Sequence, residues 1–135
     1  MKILIVDDSA FMRTILKDLV SQSKWAGSEI LEAENGDEAV AQCQASKPDL
    51  LLLDIVMPGK DGIEVLKEIG FNSPSVVIVS SMGQESIIDQ AKSLGAKDYI
   101  VKPFDAKQVV ESLNKLFPEQ SGAPVAPAPG APVSQ

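Results

Sequence analysis

The sequence contains no histidine and a single cysteine, Cys43. Without histidine, the chain lacks the most common metal ligand in proteins and the most common general base near neutral pH. One cysteine cannot form an intrachain disulfide, and a lone thiol is expected to be buried as a small apolar side chain. Any reactive or metal-binding site must therefore be built from oxygen ligands, lysine and hydroxyl side chains.

Long hydrophobic runs are also missing from the chain. No stretch approaches the roughly 20 consecutive apolar residues that span a membrane. The N-terminal "MKILIVDD" contains four consecutive apolar residues followed by two aspartates. A secretory signal needs about 7–15 apolar residues. We therefore expect a protein that neither enters nor crosses a membrane and that acts in the cytoplasm.

Positive charge is scarce relative to negative charge, since 12 Lys and Arg face 19 Asp and Glu, for a net charge of −7. A nucleic-acid backbone is disfavoured as the main partner, because phosphate contacts need clustered basic side chains. An ordinary solvated surface also gives an acidic balance, so the charge assigns no partner. The 135 residues, of which 44% are hydrophobic, are sufficient for one domain with a buried core.

Short apolar runs recur along the chain and indicate strands. Three are clear, at Ile3–Val6, Leu50–Leu53 and Val76–Val79. Two weaker runs are found, one around Ile30 and one ending at Val101. Continuous rather than alternating apolar runs are typical of strands covered on both faces, as in a parallel sheet.

The segments that follow these runs have helical spacing, with apolar residues at three- and four-residue steps. Residues that favour helix ends flank them. They are Ser9, Asn35 with Glu38, and Asp105 with Gln108 at the starts, and Gly70 and Gly95 at the ends. Strands alternating with helices predict an α/β, doubly wound (βα)5 flavodoxin-like fold, with a five-stranded parallel sheet of strand order 2-1-3-4-5.

The character of the sequence changes near its C-terminus. Residues 1–118 carry the alternating pattern and form the predicted domain, whereas residues 119–135 consist mainly of Pro, Ala, Gly, Val and Ser. Such a composition cannot bury enough apolar surface to fold by itself. The segment is interpreted as a flexible tail or as the start of an interdomain linker.

Three acidic residues follow two strands that the predicted order makes neighbours. Asp7 and Asp8 come after the first strand, and Asp54 ends the third. Ligands of such sheets bind beyond the carboxyl ends of the strands, at this switch in strand order. Three carboxylates in a partly dry crevice repel one another unless a cation lies among them. Oxygen ligands without His or thiolate favour Mg²⁺, with Mn²⁺ as its substitute.

Two further polar residues end the neighbouring strands. Lys102, followed by Pro103, ends the fifth strand and is placed to point across the strand ends at Asp54, and Ser80 ends the fourth. Acids, a divalent metal, a lysine and a hydroxyl around one carboxylate indicate a phosphoryl-transfer site, where catalysis is positioning plus charge neutralisation. Asp54 can act there as a nucleophile that becomes an acyl phosphate.

At these residues the sequence resembles a known family, the receiver domains of two-component response regulators, and in particular the CheY-like chemotaxis regulators. The resemblance covers Lys2 to about Phe117 and rests on "ILIVDDS", "LLLLDIVMPGKDG", "VVIVSSMG" and "GAKDYIVKPF". Each motif alone is weak, and the four in this order are highly specific. The resemblance implies a regulatory phosphoacceptor domain that catalyses only its own phosphorylation and slow dephosphorylation.

The resemblance implies a role for each matched position. Asp54 is the expected phosphoacceptor. Asp8, Asp54 and the backbone carbonyl of Val56 are expected to bind Mg²⁺, and Asp7 to hold metal-bound water.

The remaining matched positions concern the phosphoryl group and the switch that it drives. Ser80 and Lys102 are expected to contact the phosphoryl group, and Ser80 and Tyr99 to form the switch. The Lys102–Pro103 peptide bond is expected to be cis, as in the family. A sensor histidine kinase is the expected donor, and a downstream protein is expected to bind the face built from helix 4, strand 5 and helix 5.

Two positions at which members of the family can carry polar residues are apolar in this sequence. Val56 lies two residues beyond the expected phosphoacceptor, and Met82 lies two residues beyond Ser80. In the family these positions flank the water that hydrolyses the acyl phosphate. Apolar side chains at both predict slow dephosphorylation.

Other interpretations remain open at the level of sequence. The chain can be a stand-alone regulator with a tail, or the N-terminal receiver of a longer multidomain regulator such as a chemotaxis methylesterase. An aspartate-nucleophile phosphatase of the haloacid dehalogenase type also places Asp at a strand end, but it needs a second Asp where this chain has Val56. A flavodoxin-like cofactor binder needs a phosphate-binding loop, and "DDSAFM" repels phosphate without a metal.

Overall fold

The computed structural model describes residues 1–23, 25, 27–69 and 74–117. Gly70 and the 119–135 segment lie outside the described residues. Within them, five strands alternate with five helices: β1 (Lys2–Val6), α1 (Ala10–Ser21), β2 (Glu29–Ala33), α2 (Gly36–Ser46), β3 (Leu50–Leu53), α3 (Gly62–Ile69), β4 (Ser75–Ser80), α4 (Glu85–Ser93), β5 (Ala96–Val101) and α5 (Ala106–Leu116).

The five strands form one parallel sheet in the order β2-β1-β3-β4-β5. This confirms the predicted fold class and strand order. β1 and β3 lie side by side in the middle of the sheet, with Ile3 opposite Leu50 and Val6 opposite Leu53. The carboxyl ends of β1 and β3 therefore meet at one edge, where the order of the chain reverses direction across the sheet.

The core consists of two layers, one on each face of the sheet. Alternate residues of β1 point to opposite layers, so Leu4 packs with side chains of α2 and α3 while Ile3 packs with side chains of α1 and α5. All four residues of β3 are buried. Fully burying a leucine or isoleucine side chain contributes about 1.5–3 kcal/mol. This burial on both faces explains why these strands are continuous apolar runs.

Side chains satisfy the free N–H groups at the starts of α1 and α5. The Ser9 hydroxyl accepts from the Met12 N–H at 3.2 Å, as its N-cap position predicts. The Asp105 N–H donates to the Gln108 side chain at 2.8 Å. At the end of α4, Gly95 has a φ of 113°, a conformation that glycine adopts without strain.

Two other helix starts differ from the sequence prediction in detail. The Asn35 side chain accepts from the Glu38 N–H at 2.9 Å, but the Glu38 carboxylate accepts from the Glu34 N–H at 3.0 Å. In the capping box that the pair Asn35 and Glu38 predicts, the Glu38 carboxylate would accept from the Asn35 N–H, so this second bond is displaced by one residue. A complete reciprocal pair, which the sequence analysis did not identify, joins Asp61 and Glu64 before α3, with bonds of 3.1 and 2.9 Å.

Cys43 is buried among apolar side chains between α2 and the sheet. Burial raises the pKa of its thiol to about 11. This environment fits the predicted role as a small core residue rather than a reactive thiolate. No helix among the described residues combines the length and the apolar character needed to span a membrane.

Candidate functional site

Asp7 and Asp54 lie side by side because they follow paired strands. The last residues of β1 and β3, Val6 and Leu53, are partners in the sheet, and each aspartate comes next in the chain. The Asp54 N–H donates to the Val6 carbonyl at 3.0 Å, and the Asp7 N–H donates to the Ala33 carbonyl at 3.2 Å. Backbone hydrogen bonds therefore fix the two carboxylates at the carboxyl edge of the sheet.

Asp8 completes a cluster of three carboxylates. One carboxylate oxygen from each of Asp7, Asp8 and Asp54 lies within 4.8 Å of the others. Asp7 and Asp54 are only 1% and 4% exposed, whereas Asp8 is exposed. Asp8 also lines an open cleft of about 580 Å³ between the loops that follow β2 and β3. The donor set suits Mg²⁺, since it offers hard oxygen atoms on one side and access for water on the other.

Lys102 connects the two buried carboxylates. Its Nζ lies 2.7 Å from an Asp7 oxygen and 3.2 Å from an Asp54 oxygen. Its backbone N–H donates to the Ser80 carbonyl at 2.8 Å, and the peptide bond to Pro103 is cis, as expected. Burial favours the neutral amine, but the two carboxylates outweigh it and hold the pKa of Lys102 above its ordinary value. The ammonium is therefore a fixed positive charge at the site.

The charge of Asp54 is only partly compensated by its neighbours. Its second oxygen accepts from the Val56 N–H at 3.1 Å. Burial raises the pKa of Asp54, the Lys102 ammonium and the Val56 N–H lower it, and the Asp7 carboxylate raises it again. The net result is a pKa above the ordinary value. A further cation would offset this cost, since an opposite charge favours the ionised carboxylate.

Ser80 and Tyr99 meet at the loop that follows β4. Ser80 is fully buried, and its hydroxyl oxygen accepts from the Met82 N–H at 3.3 Å. The Tyr99 hydroxyl donates to the Met82 carbonyl. Burial raises the pKa of Tyr99, so its hydroxyl stays protonated and able to donate. The structure thus brings Ser80, Met82 and Tyr99 into one hydrogen-bonded unit.

Val56 and Met82, the two apolar positions noted in the sequence, each lie two residues beyond a polar residue of the site, Asp54 and Ser80 respectively. Val56 is half exposed and follows Asp54 in the loop after β3, and its backbone N–H already contacts the Asp54 carboxylate. Met82 is partly buried and packs against the core. Neither side chain can donate a hydrogen bond to a water near Asp54.

Gly62 is a structural element of the site that sequence reasoning missed. Its N–H donates to the Ile55 carbonyl at 3.0 Å, so the start of α3 lies directly on the backbone of Asp54. The sequence held no clear signal for this contact, because glycine is unfavourable in the middle of a helix and Gly62 is the first residue of α3.

Comparison of the sequence with known proteins identifies the family to which the chain belongs. A family described as the response regulator receiver domain matches residues 3–114. The chain is 47% identical over 118 residues to chemotaxis protein CheY of Thermotoga maritima, covering 85% of this chain and 96% of that protein. It is 47% identical over 119 residues to CheY of Bacillus subtilis, covering 86% and 97% of the two chains.

The solved structures that resemble this fold include receiver domains of the same family. The CheX–CheY–BeF3–Mg complex from Borrelia burgdorferi contains a chain with a TM-score of 0.80 and 33% identity, with 87% of this chain and 89% of that chain covered. The response regulator domain of Thermotoga maritima CheB has a TM-score of 0.74 and 35% identity, with 94% and 98% covered. The chain therefore belongs to the response regulator receiver domains of two-component signalling and is closely related to the CheY chemotaxis regulators.

Proposed function

We propose that Asp54 is the residue that accepts the phosphoryl group in this receiver domain. The observation that carries the proposal is the surroundings of Asp54, a buried carboxylate with a raised pKa, next to a fixed ammonium and two further carboxylates. The ionised form of a carboxylate in these surroundings is stabilised when a cation enters the site, and the cation also attracts the phosphoryl group. A purely structural carboxylate would have its charge fully compensated by the fold.

Asp8, Asp54 and the Val56 carbonyl would hold Mg²⁺, with Asp7 supporting a water of the ion. Both oxygens of Asp7 already accept hydrogen bonds, from the Ser9 N–H at 2.9 Å and from Lys102 at 2.7 Å. These bonds favour the supporting role for Asp7. Bound Mg²⁺ would neutralise the carboxylates and the incoming phosphoryl oxygens.

In the transfer step, a carboxylate oxygen of Asp54 attacks the phosphorus of the donor. A new O–P bond forms, and the bond from phosphorus to the imidazole nitrogen of a phosphohistidine, or to the carboxylate oxygen of acetyl phosphate, breaks. The leaving group keeps the electron pair of the broken bond. Lys102 and the Ser80 hydroxyl bind phosphoryl oxygens, and Lys102 is already 3.2 Å from Asp54. The chain contributes positioning and charge, as phosphoryl transfer requires.

The donor in this proposal is a sensor histidine kinase, and the phosphorylated domain binds a downstream protein through α4, β5 and α5. Tyr99 of β5 supports this surface, since its hydroxyl contacts the loop that leads into α4. The solved CheY of Borrelia burgdorferi is in complex with CheX, BeF3 and Mg, which supports a metal-dependent active state that recruits a protein. In this proposal the domain is regulatory, and the chemistry that it catalyses is confined to its own aspartate.

Labelling with a small donor tests this proposal. The wild type should take up a phosphoryl group from acetyl phosphate when Mg²⁺ is present and lose this reaction in excess chelator. Asp54→Asn should abolish the labelling, and Asp8→Asn should require a much higher Mg²⁺ concentration. Asp18→Asn on the exposed side of α1 is a matched acid-to-amide control and should react like the wild type. Full labelling of Asp54→Asn, or full labelling in chelator, would contradict the assignment.

A further inference from the structure

Arg13 of α1 binds the backbone that directly follows β1. Its NH1 donates to the backbone carbonyl of Asp7 at 2.5 Å, and its Nε donates to the Glu32 carboxylate of β2 at 3.0 Å. The side chain is only 12% exposed. The planar guanidinium thus connects one helix with the ends of two strands.

The Asp7 carbonyl belongs to the peptide unit that joins Asp7 to Asp8. A peptide unit is planar, so a hydrogen bond to its oxygen restricts rotation of the whole unit and therefore the position of the Asp8 Cα. The Asp7 side chain is held separately, by the Ser9 N–H and by Lys102. Asp8, in contrast, is exposed, and among the described contacts none fixes its carboxylate. Its orientation depends on its backbone.

We propose that Arg13 is a positioning residue for the metal site, which holds the Asp7–Asp8 peptide so that the Asp8 carboxylate faces Asp54. This inference rests on the proposed function, in which Asp8 and Asp54 bind Mg²⁺. Arg13 itself does not touch the ion, the phosphoryl group or Asp54. It acts through the main chain, and its effect is on metal affinity.

Glu32 fixes Arg13 in this position. Its other carboxylate oxygen lies 2.6 Å from the Nζ of Lys17, one helical turn beyond Arg13. The hydrogen bond from Lys17 is the main cause of a lowered pKa of Glu32, and Arg13 contributes in the same direction. An ordinary glutamate is already ionised near neutral pH, so Glu32 binds both cations and keeps its charge for Arg13 even without Lys17. Lys17 shares this partner with Arg13 but has no contact with Asp7 among the described bonds, so it offers a matched control.

The test compares Arg13→Gln, Arg13→Lys and Lys17→Gln with the wild type. Mg²⁺ affinity is measured by titration followed through backbone amide NMR shifts of residues 7, 8 and 54, which needs no phosphorylation. Arg13→Gln should weaken Mg²⁺ binding about tenfold or more, as is typical when a group that orients a metal ligand is removed. Arg13→Lys keeps the charge but not the forked geometry and should also weaken binding. Lys17→Gln should bind Mg²⁺ like the wild type.

Labelling by acetyl phosphate at saturating Mg²⁺ gives a second readout. Because Arg13 acts on affinity, both Arg13 variants should reach the wild-type extent of labelling once Mg²⁺ is saturating. Thermal unfolding shows whether each variant folds. If Arg13→Gln does not fold, the Mg²⁺ affinity of Arg13→Lys is the test. Equal Mg²⁺ affinity of Arg13→Gln and Lys17→Gln, or full rescue by Arg13→Lys, would overturn this inference alone. Failure of the wild type to bind Mg²⁺ would overturn the proposed function.

Discussion

Gly62 begins α3 directly against the backbone of Asp54. A Cβ added to Gly62 would lie 2.5 Å from the carbonyl oxygen of Asp54 and 2.8 Å from the Cα of Ile55. Both contacts involve backbone atoms, which cannot move aside without shifting the phosphoacceptor candidate. The position of Asp54 is therefore set from two sides, by the sheet and by the absence of a side chain at Gly62.

Gly62→Ala should destabilise the domain by about 1–3 kcal/mol, because overpacking outweighs the gain in helix propensity. The same substitution should reduce the rate of phosphorylation, since Asp54 is displaced. Urea unfolding and acetyl phosphate labelling measure the two effects. Gly27→Ala is the matched control, because a Cβ there meets no atom within 4 Å. A fully stable and fully reactive Gly62→Ala protein would show that the contact is unimportant.

Tyr99 should report the state of the switch. The phosphoryl group is expected to recruit the Ser80 hydroxyl, which now accepts from the Met82 N–H, so that the loop carrying the Tyr99 partner shifts. If this loop and the Tyr99 side chain have two discrete packings that differ by a modest free energy, binding of the phosphoryl group shifts the population from one packing to the other. Tyr99 is the single tyrosine of the chain, so ring NMR signals in the presence and absence of a phosphoryl analogue follow it without ambiguity.

The single tryptophan supplies an internal control for this measurement. Trp25 is buried in the layer that contains α1 and α5 and should keep its environment. Ser80→Ala should abolish the response of Tyr99. An unchanged Tyr99 ring environment in the wild type would remove this residue from the mechanism.

The acyl phosphate should be long-lived because no polar side chain at Val56 or Met82 orients the attacking water. Loss of one orienting contact of ~1–1.5 kcal/mol corresponds to about a tenfold slower reaction. The double variant Val56→Asn with Met82→Glu should therefore lose its phosphoryl group about tenfold faster or more. The decay of labelled protein at saturating Mg²⁺ measures this, with each single variant as a comparison. A double variant no faster than the wild type would show that something else positions the water.

Asp98 should stabilise the contact between β5 and α5 in a pH-dependent way. Burial raises its pKa, but bonds from the Ser112 hydroxyl at 2.7 Å and the Tyr99 N–H at 2.9 Å, together with Lys115, outweigh it and lower the pKa. A lowered folded-state pKa contributes stability that is complete above the unfolded-state pKa of about 3.9 and is lost as the pH falls through the folded-state value.

Asp98→Asn should therefore cost stability near pH 7, and the difference from the wild type should shrink as the pH falls below about 4. Because Lys115 is exposed and solvent screens its charge, we expect the two proteins to differ in free energy of unfolding by only about 1 kcal/mol. Urea unfolding between neutral and acid pH measures it. Asp89→Asn, at an exposed position of α4, is the control. A difference between Asp98→Asn and the wild type that does not change with pH would contradict the role of the ionised carboxylate.

The sheet and the acidic cluster could be predicted because their signals are local in the sequence. Buried strands such as Leu50–Leu53 stand out as apolar runs, and the strand order then places Asp7 beside Asp54. Lys102 is 48 residues from Asp54, yet its place at a strand end was enough to predict their contact. Strands that show a clear apolar pattern can thus be predicted from the sequence, and the topology rules for parallel sheets then place the side chains at their ends.

The parts that were not predicted depend on contacts between distant backbone atoms. The bond from Arg13 to the Asp7 carbonyl and the approach of Gly62 to Asp54 involve main-chain oxygens, which every residue has. No side-chain pattern marks such a carbonyl as a partner. The displaced bond of Glu38 to the Glu34 N–H is also a matter of local geometry, because either neighbouring N–H is within reach of the same carboxylate.

Chemical identification of the phosphorylated residue tests the assignment of Asp54 most directly. An acyl phosphate on aspartate is reduced by borohydride to homoserine, and mass spectrometry of the resulting peptides locates the change. After treatment with acetyl phosphate and Mg²⁺, we expect homoserine at position 54 and unmodified aspartate at Asp7 and Asp8. Homoserine at Asp7 or Asp8 with Asp54 unmodified, or no conversion under these conditions, would contradict this assignment.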